Sequence, residues 1–79
     1  VNGGSDNTVR GNDVTNTGND GIRINASLSI DVLNNRVRFD IGGDGIHVQD
    51  SNFALIDGNT VRDTDDDGID VHNSDDVVI

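Results

Sequence analysis

Apolar residues in this chain sit singly or in alternating pairs, and the pairs return at a fixed interval. Ile22-x-Ile24, then Val32, then Val37 is followed by Ile46-x-Val48, Ile56 and Val61, and Ile69-x-Val71 with Ile79 begins the pattern again. Alternation turns successive side chains to opposite faces of an extended strand. Gly21-Ile22-Arg23-Ile24-Asn25 therefore reads as a strand with Ile22 and Ile24 on one face and Arg23 and Asn25 on the other. No window carries apolar residues at i, i+3, i+4 and i+7, and glycine interrupts each copy, so helices are disfavoured.

The polar residues repeat in step. A cassette of Asn-x-Val, an Asp/Asn/Gly-rich turn, Asp-Gly-Ile-x-Val/Ile and then Ser occurs three times at a spacing of 23 to 24 residues. Asp20-Gly21-Ile22, Asp44-Gly45-Ile46 and Asp67-Gly68-Ile69 start equivalent strands, and Asn12, Asn35 and Asn59 mark equivalent corners. Val1 aligns with Ile24, Val48 and Val71; Val9 with Val32, Ile56 and Ile79; Val14 with Val37 and Val61; Ser27 with Ser51 and Ser74. Ile41 reads as a one-residue insertion in the middle copy. Such a period signals an array in which each unit buries its apolar face on its neighbours.

Within one unit, a strand over residues 21–25 leads to a turn at Ala26-Ser27. A second strand runs through Ile30-Asp31-Val32, a corner follows at Asn34-Asn35, and a third strand contains Val37 and Arg38. The pattern predicts an all-β parallel solenoid of about three coils of 23–24 residues, with three short strands per coil and like strands stacked about 4.8 Å apart. A leucine-rich repeat shares the spacing Ile30-x-Val32-x-x-Asn35-x-Val37. It also needs a helix or Leu-rich return, whereas residues 40–48 read as turn then strand. Over its whole length the chain resembles the right-handed parallel β-helix repeats of the pectate-lyase-like superfamily, which includes polysaccharide lyases and mannuronan epimerases. That resemblance implies the fold, an asparagine ladder at Asn12, Asn35 and Asn59, and an exposed strand face of the kind where relatives place sugar-binding and catalytic residues.

Composition changes the functional picture more than the fold. Five Arg against 15 Asp give a formal net charge of −10, with no Lys, Glu, Pro, Cys, Met, Trp or Tyr. Nucleic acid and anionic membrane are poor partners for such a surface, because phosphate binding needs clustered Lys and Arg. No apolar run reaches the roughly 20 residues needed to span a bilayer. The absence of Lys, Tyr and Pro also departs from the enzymes of the superfamily, removing the basic residue of many lyases and the Tyr and Asp-Pro-His elements of the epimerases.

Three sets of residues carry candidate chemistry. Asp63, Asp65 and Asp67 lie in Asp-x-Asp-x-Asp-Gly, the opening half of a calcium loop, where alternate carboxylates can converge on one ion. Flanking helices and the terminal Glu are absent, so this is no EF-hand. Stacking also sets Asp20, Asp44 and Asp67 in one column, where like charges repel unless a cation or hydrogen-bond donors compensate. On the outward face of the Asp-Gly-Ile strand, Arg23, His47 and Asp70 occupy equivalent positions beside Asn25, Gln49 and His72. Arg23, His47, Asp70 and His72 are the candidates for general acid/base chemistry, and Arg23, Asn25, His47 and Gln49 for binding an acidic sugar. Phe39 is expected to fill a bulge beside Ile41, and Phe53, Leu55 and Val78 to form an outward apolar patch.

The expected function is a structural segment of an extracellular or cell-surface β-solenoid, calcium-stabilised and self-associating, with residues 1–79 forming one unit of a longer solenoid or an end-associating subunit. The alternative is part of a carbohydrate-active enzyme that acts on acidic polysaccharide.

Overall fold

Short β-branched segments between Asp, Asn and Gly turns can satisfy their backbone only by pairing with equivalent segments one repeat away. The computed structural model, which describes residues 1–79, shows that pairing throughout. Nine strands alternate in length: β1 (Ser5–Arg10), β2 (Asp13–Val14), β3 (Ile22–Asn25), β4 (Leu28–Leu33), β5 (Arg36–Val37), β6 (Ile46–Gln49), β7 (Asn52–Asp57), β8 (Thr60–Val61) and β9 (Ile69–His72). They form three parallel three-stranded sheets, β1-β4-β7, β2-β5-β8 and β3-β6-β9. The register follows the sequence columns, with Ile22 over Ile46 over Ile69 and Val32 over Ile56. The leucine-rich alternative fails because the return path contains strand and turn and no helix.

The three sheets enclose one narrow core of Ile22, Ile24, Ile30, Val32, Val37, Ile41, Ile46, Val48, Ala54 and Ile56. Eight of these come from β3, β4, β6 and β7; Val37 of β5 and Ile41 supply the third wall. Ile41 is thus a core residue and not the inserted one. It bridges Thr64, and Gly42 donates to Thr17 O at 2.8 Å, so Ile41 stacks between Thr17 and Thr64. The extra residue of the middle coil lies at Phe39–Asp40, where two consecutive residues take φ of 63° and 68° in place of the single left-handed residue at Asn16 and Asp63. The Phe39 side chain does not fill that bulge. It lies on the surface, 47% exposed, with the guanidinium carbons of Arg38 and Arg62 at 4.6 and 5.5 Å from the ring centroid.

Corners are built from left-handed residues in register. Gly3, Ala26, Asp50 and Asn73 form one such column, and Gly11, Asn34 and Gly58 another. Asp and Asn tolerate this conformation, whereas Ala26 adopts it at φ 55° with no side-chain compensation. Gly21 and Gly45 serve a different purpose, since neither has a positive φ. A Cβ on Gly45 would lie 2.6 Å from Gly68 O and collide with the Val61 side chain; one on Gly21 would lie 2.7 Å from Gly45 O and collide with Val37. Gly21 and Gly45 are therefore places where coils approach too closely for a side chain, whereas a Cβ on Gly68 would meet only Val61 at 3.9 Å.

Candidate functional site

Three polar columns tie the coils together, and they define what is left free for chemistry. At the first corner, Asn12 Nδ2 donates to Asn35 Oδ1 at 2.9 Å and Asn35 Nδ2 to Asn59 Oδ1 at 3.0 Å. The same oxygens accept the backbone amides of Asn12 and Asn35, and Asn35 Nδ2 also donates to Val9 O at 3.0 Å. Ser27, Ser51 and Ser74 form a second ladder that the sequence columns placed without assigning it a role. The Ser27 amide donates to Ser51 Oγ at 3.0 Å, and the Ser51 amide to Ser74 Oγ at 2.9 Å. The third ladder is the aspartate column. Asp20 Oδ1 accepts the Asp44 amide at 2.8 Å, and Asp44 Oδ1 accepts the Asp67 amide at 2.9 Å. Backbone donors thus compensate the stacked carboxylates.

Each ladder aspartate keeps a second oxygen, and on the middle coil it meets the outward strand face. Asp44 Oδ2 lies 2.8 Å from His47 Nδ1, and Asp70 Oδ2, one coil on, lies 3.2 Å from the same nitrogen. His47 Nε2 faces Gln49 Oε1 at 3.3 Å. Arg23 NH1 stands 3.8 Å from Asp20 Oδ2. The hydrogen bond to Asp44 raises the affinity of His47 for its proton above that of an ordinary imidazole, against the opposing effect of desolvation. The hydrogen bond from His47 likewise holds the Asp44 carboxyl below the usual carboxylate range. The result is a His47 imidazole of raised proton affinity held between two acids, on a face otherwise made of Arg23, Asn25, Gln49 and His72.

The structure brings Arg23, His47 and Asp70 together, as Cα partners across β3, β6 and β9, and sets Asn25, Gln49 and His72 beside them. His72 is exposed at the edge of this row. Asp63, Asp65 and Asp67 are all exposed and do not converge. The turn follows the coil above it instead, with the Asp65 amide donating to Ile41 O and the Asp66 amide to Gly43 O. The converging group is Asp20, Asp44 and His47, each offering one donor atom within 4.8 Å of the others. Sequence columns could not reveal this set, because His47 and Asp44 belong to different columns and meet across a turn within one coil.

The outer face of β1-β4-β7 carries a second, apolar feature. Phe53, Leu55 and Val78 are exposed there, joined by Leu28, which sequence reading passed over. Leu55 and Val78 are bridge partners in adjacent coils.

The stacked parallel sheets and their internal ladders agree with comparison at the level of families. A family model described as a right handed beta helix region matches residues 1–79. The chain belongs to this family. Its β-helix accounts for every strand and for the asparagine corner. Searches among curated proteins and among solved structures find no match. No helix of the β-helix is long and apolar enough to cross a membrane.

Proposed function

We propose that this β-helix is a scaffold segment of an extracellular or cell-surface solenoid, stabilised by calcium and associating with further copies or coils. The observation that carries this reading is the use of its repeated polar residues. The Asn, Ser and Asp columns are engaged in coil-to-coil hydrogen bonds, and a single buried side-chain atom, Arg38 Nε, has no partner. Residues held this way support length and rigidity. The exposed turn of Asp63, Asp65, Asp66 and Asp67 supplies four carboxylates that a calcium ion would itself have to draw together, which suits a weak site of the kind that fills at the millimolar calcium found outside cells. Leu28, Phe53, Leu55 and Val78 supply apolar area for contact with a neighbour. Sedimentation and circular dichroism with and without millimolar calcium test the reading. Larger species and a higher melting temperature with calcium are expected, and a calcium-indifferent monomer would refute it.

A second reading rests on the gripped His47. An imidazole of raised proton affinity beside Arg23, on an outward strand face, supports binding of, or proton transfer with, the carboxylate-bearing sugars of an acidic polysaccharide. Appearance of lyase-type double-bond absorbance on uronate polymers, lost in His47→Ala, is the outcome it requires.

A further inference from the structure

His47 poses a problem of charge that its hydrogen bonds only partly answer. Nε2 lies 3.3 Å from Gln49 Oε1, a contact made by the tautomer that carries its proton on Nε2. Nδ1 then faces two carboxylate oxygens at 2.8 and 3.2 Å. A bare lone pair in that position would be repelled by both, so the point between Nδ1 and the acids must hold a positive charge, either a proton or a metal ion. Proton donation to Asp44 leaves Asp70 Oδ2 to the solvent, its side chain being 34% exposed.

A metal ion would satisfy Nδ1 together with the carboxylates of Asp44 and Asp20, Asp70 lying outside that group. Zinc-type bonds of about 2.0–2.2 Å in a tetrahedron place every pair of donor atoms about 3.3–3.6 Å apart. The donor atoms of Asp20, Asp44 and His47 lie within 4.8 Å of one another, so small side-chain rotations close them on one ion. Oδ1 of Asp20 and of Asp44 is already fixed by a backbone amide, which orients the second oxygen of each before any ion arrives. Gln49 plays the outer role commonly found behind a ligating histidine, accepting from the nitrogen that does not bind metal. His47 and Asp44 are shielded, with side chains 17% and 13% exposed, which strengthens their attraction for a cation. Arg23 reaches Asp20 from a side chain 60% exposed and is free to swing into water.

We propose that Asp20, Asp44 and His47 form a binding site for a divalent transition-metal cation of the zinc type, with water completing the coordination. Nitrogen in the donor set selects against calcium, which takes six to eight oxygens at longer distances. The site is separate from the Asp63, Asp65 and Asp67 turn and does not rest on the scaffold or polysaccharide readings.

Calorimetric titration of zinc chloride into the whole chain, paired with imidazole NMR, tests it. One ion per chain is expected, with the ring signals of His47 shifting while those of His72 stay in place. His47→Ala should weaken zinc binding by about tenfold or more, His72→Ala should leave it unchanged, and millimolar calcium should not displace the ion. Asp44→Asn keeps the oxygen that accepts the Asp67 amide while removing a charge, so it preserves the ladder and should also weaken binding should His47→Ala fail to fold. The proposal is overturned by absence of zinc binding, by unchanged affinity in the folded variants, by an equal loss in His72→Ala, or by displacement with calcium.

Discussion

The side-chain amide of Asn35 donates to Asn59 Oδ1 at 3.0 Å while its own oxygen accepts from Asn12, so one residue joins three coils. Asn35 is 2% exposed, so its own side chain depends on these partners in place of water. Asn35→Leu removes those bonds, leaving the Asn12 amide and Val9 O unpaired, and is expected to destabilise by about 1–3 kcal/mol. Chemical denaturation measures this; an unchanged midpoint would show that the ladder contributes nothing.

Gly45→Ala is predicted to destabilise by about 1–3 kcal/mol, as overpacking does. Its methyl would enter the space of Gly68 O and the Val61 side chain. Gly18→Ala is the control, since a Cβ there meets no atom within 4 Å and φ is not positive. Thermal melts of the two variants should separate clearly, and equal melts would contradict the close coil approach.

Ala26 stands in a left-handed column with Asp50 and Asn73. Ala26→Asn supplies a residue suited to that conformation and is expected to stabilise by up to about 1 kcal/mol. A lower melting temperature for this exposed substitution would show that the corner conformation is not the limiting strain.

The Asp44–His47 pair predicts a pH profile. His47 binds its proton more tightly folded than unfolded, chiefly through Asp44, with Gln49, Asp20 and Asp70 adding to the effect. Its contribution is therefore complete below the ordinary imidazole value of 6.5 and is lost as pH rises through the raised folded value. Asp44 is shifted the other way, so its contribution is present above 3.8 and is lost as pH falls through the lowered folded value. Stability from the pair should peak between these limits. Denaturant midpoints of metal-free protein at pH 6 and pH 9 should differ in the wild type and converge in His47→Ala; a wild-type difference that persists in the variant would assign it elsewhere.

How much of this was legible depended on whether information ran along a column or across a turn. Ile22, Ile46 and Ile69, or Asn12, Asn35 and Asn59, share residue type and place in the coil, so spacing alone set the register and the three-sheet architecture. Ile41 misled because its column partners, Thr17 and Thr64, are polar; the outer coils leave that position half-buried, while the middle coil covers it completely. The Gly21 and Gly45 positions were visible, but their cause was not, since steric approach between coils leaves the same signature as a turn. For the site, Arg23, His47 and Asp70 followed from register. The contact of His47 with Asp44 did not, because strand alternation does not predict the direction of a turn side chain three residues earlier. The Asp63, Asp65 and Asp67 motif lies on an exposed turn, where spacing alone does not say how carboxylates point.

The central claim is that corner residues, and not strands alone, hold the coils in register. Backbone amide hydrogen exchange by NMR tests it most directly at Asn12, Asn35, Ser51, Asp44 and Asp67, whose amides donate to side-chain acceptors in a neighbouring coil. The account predicts that Asn35, Ser51 and Asp44, in the middle coil, exchange as slowly as the β6 strand amides. Exchange at the rate of open loops would contradict it.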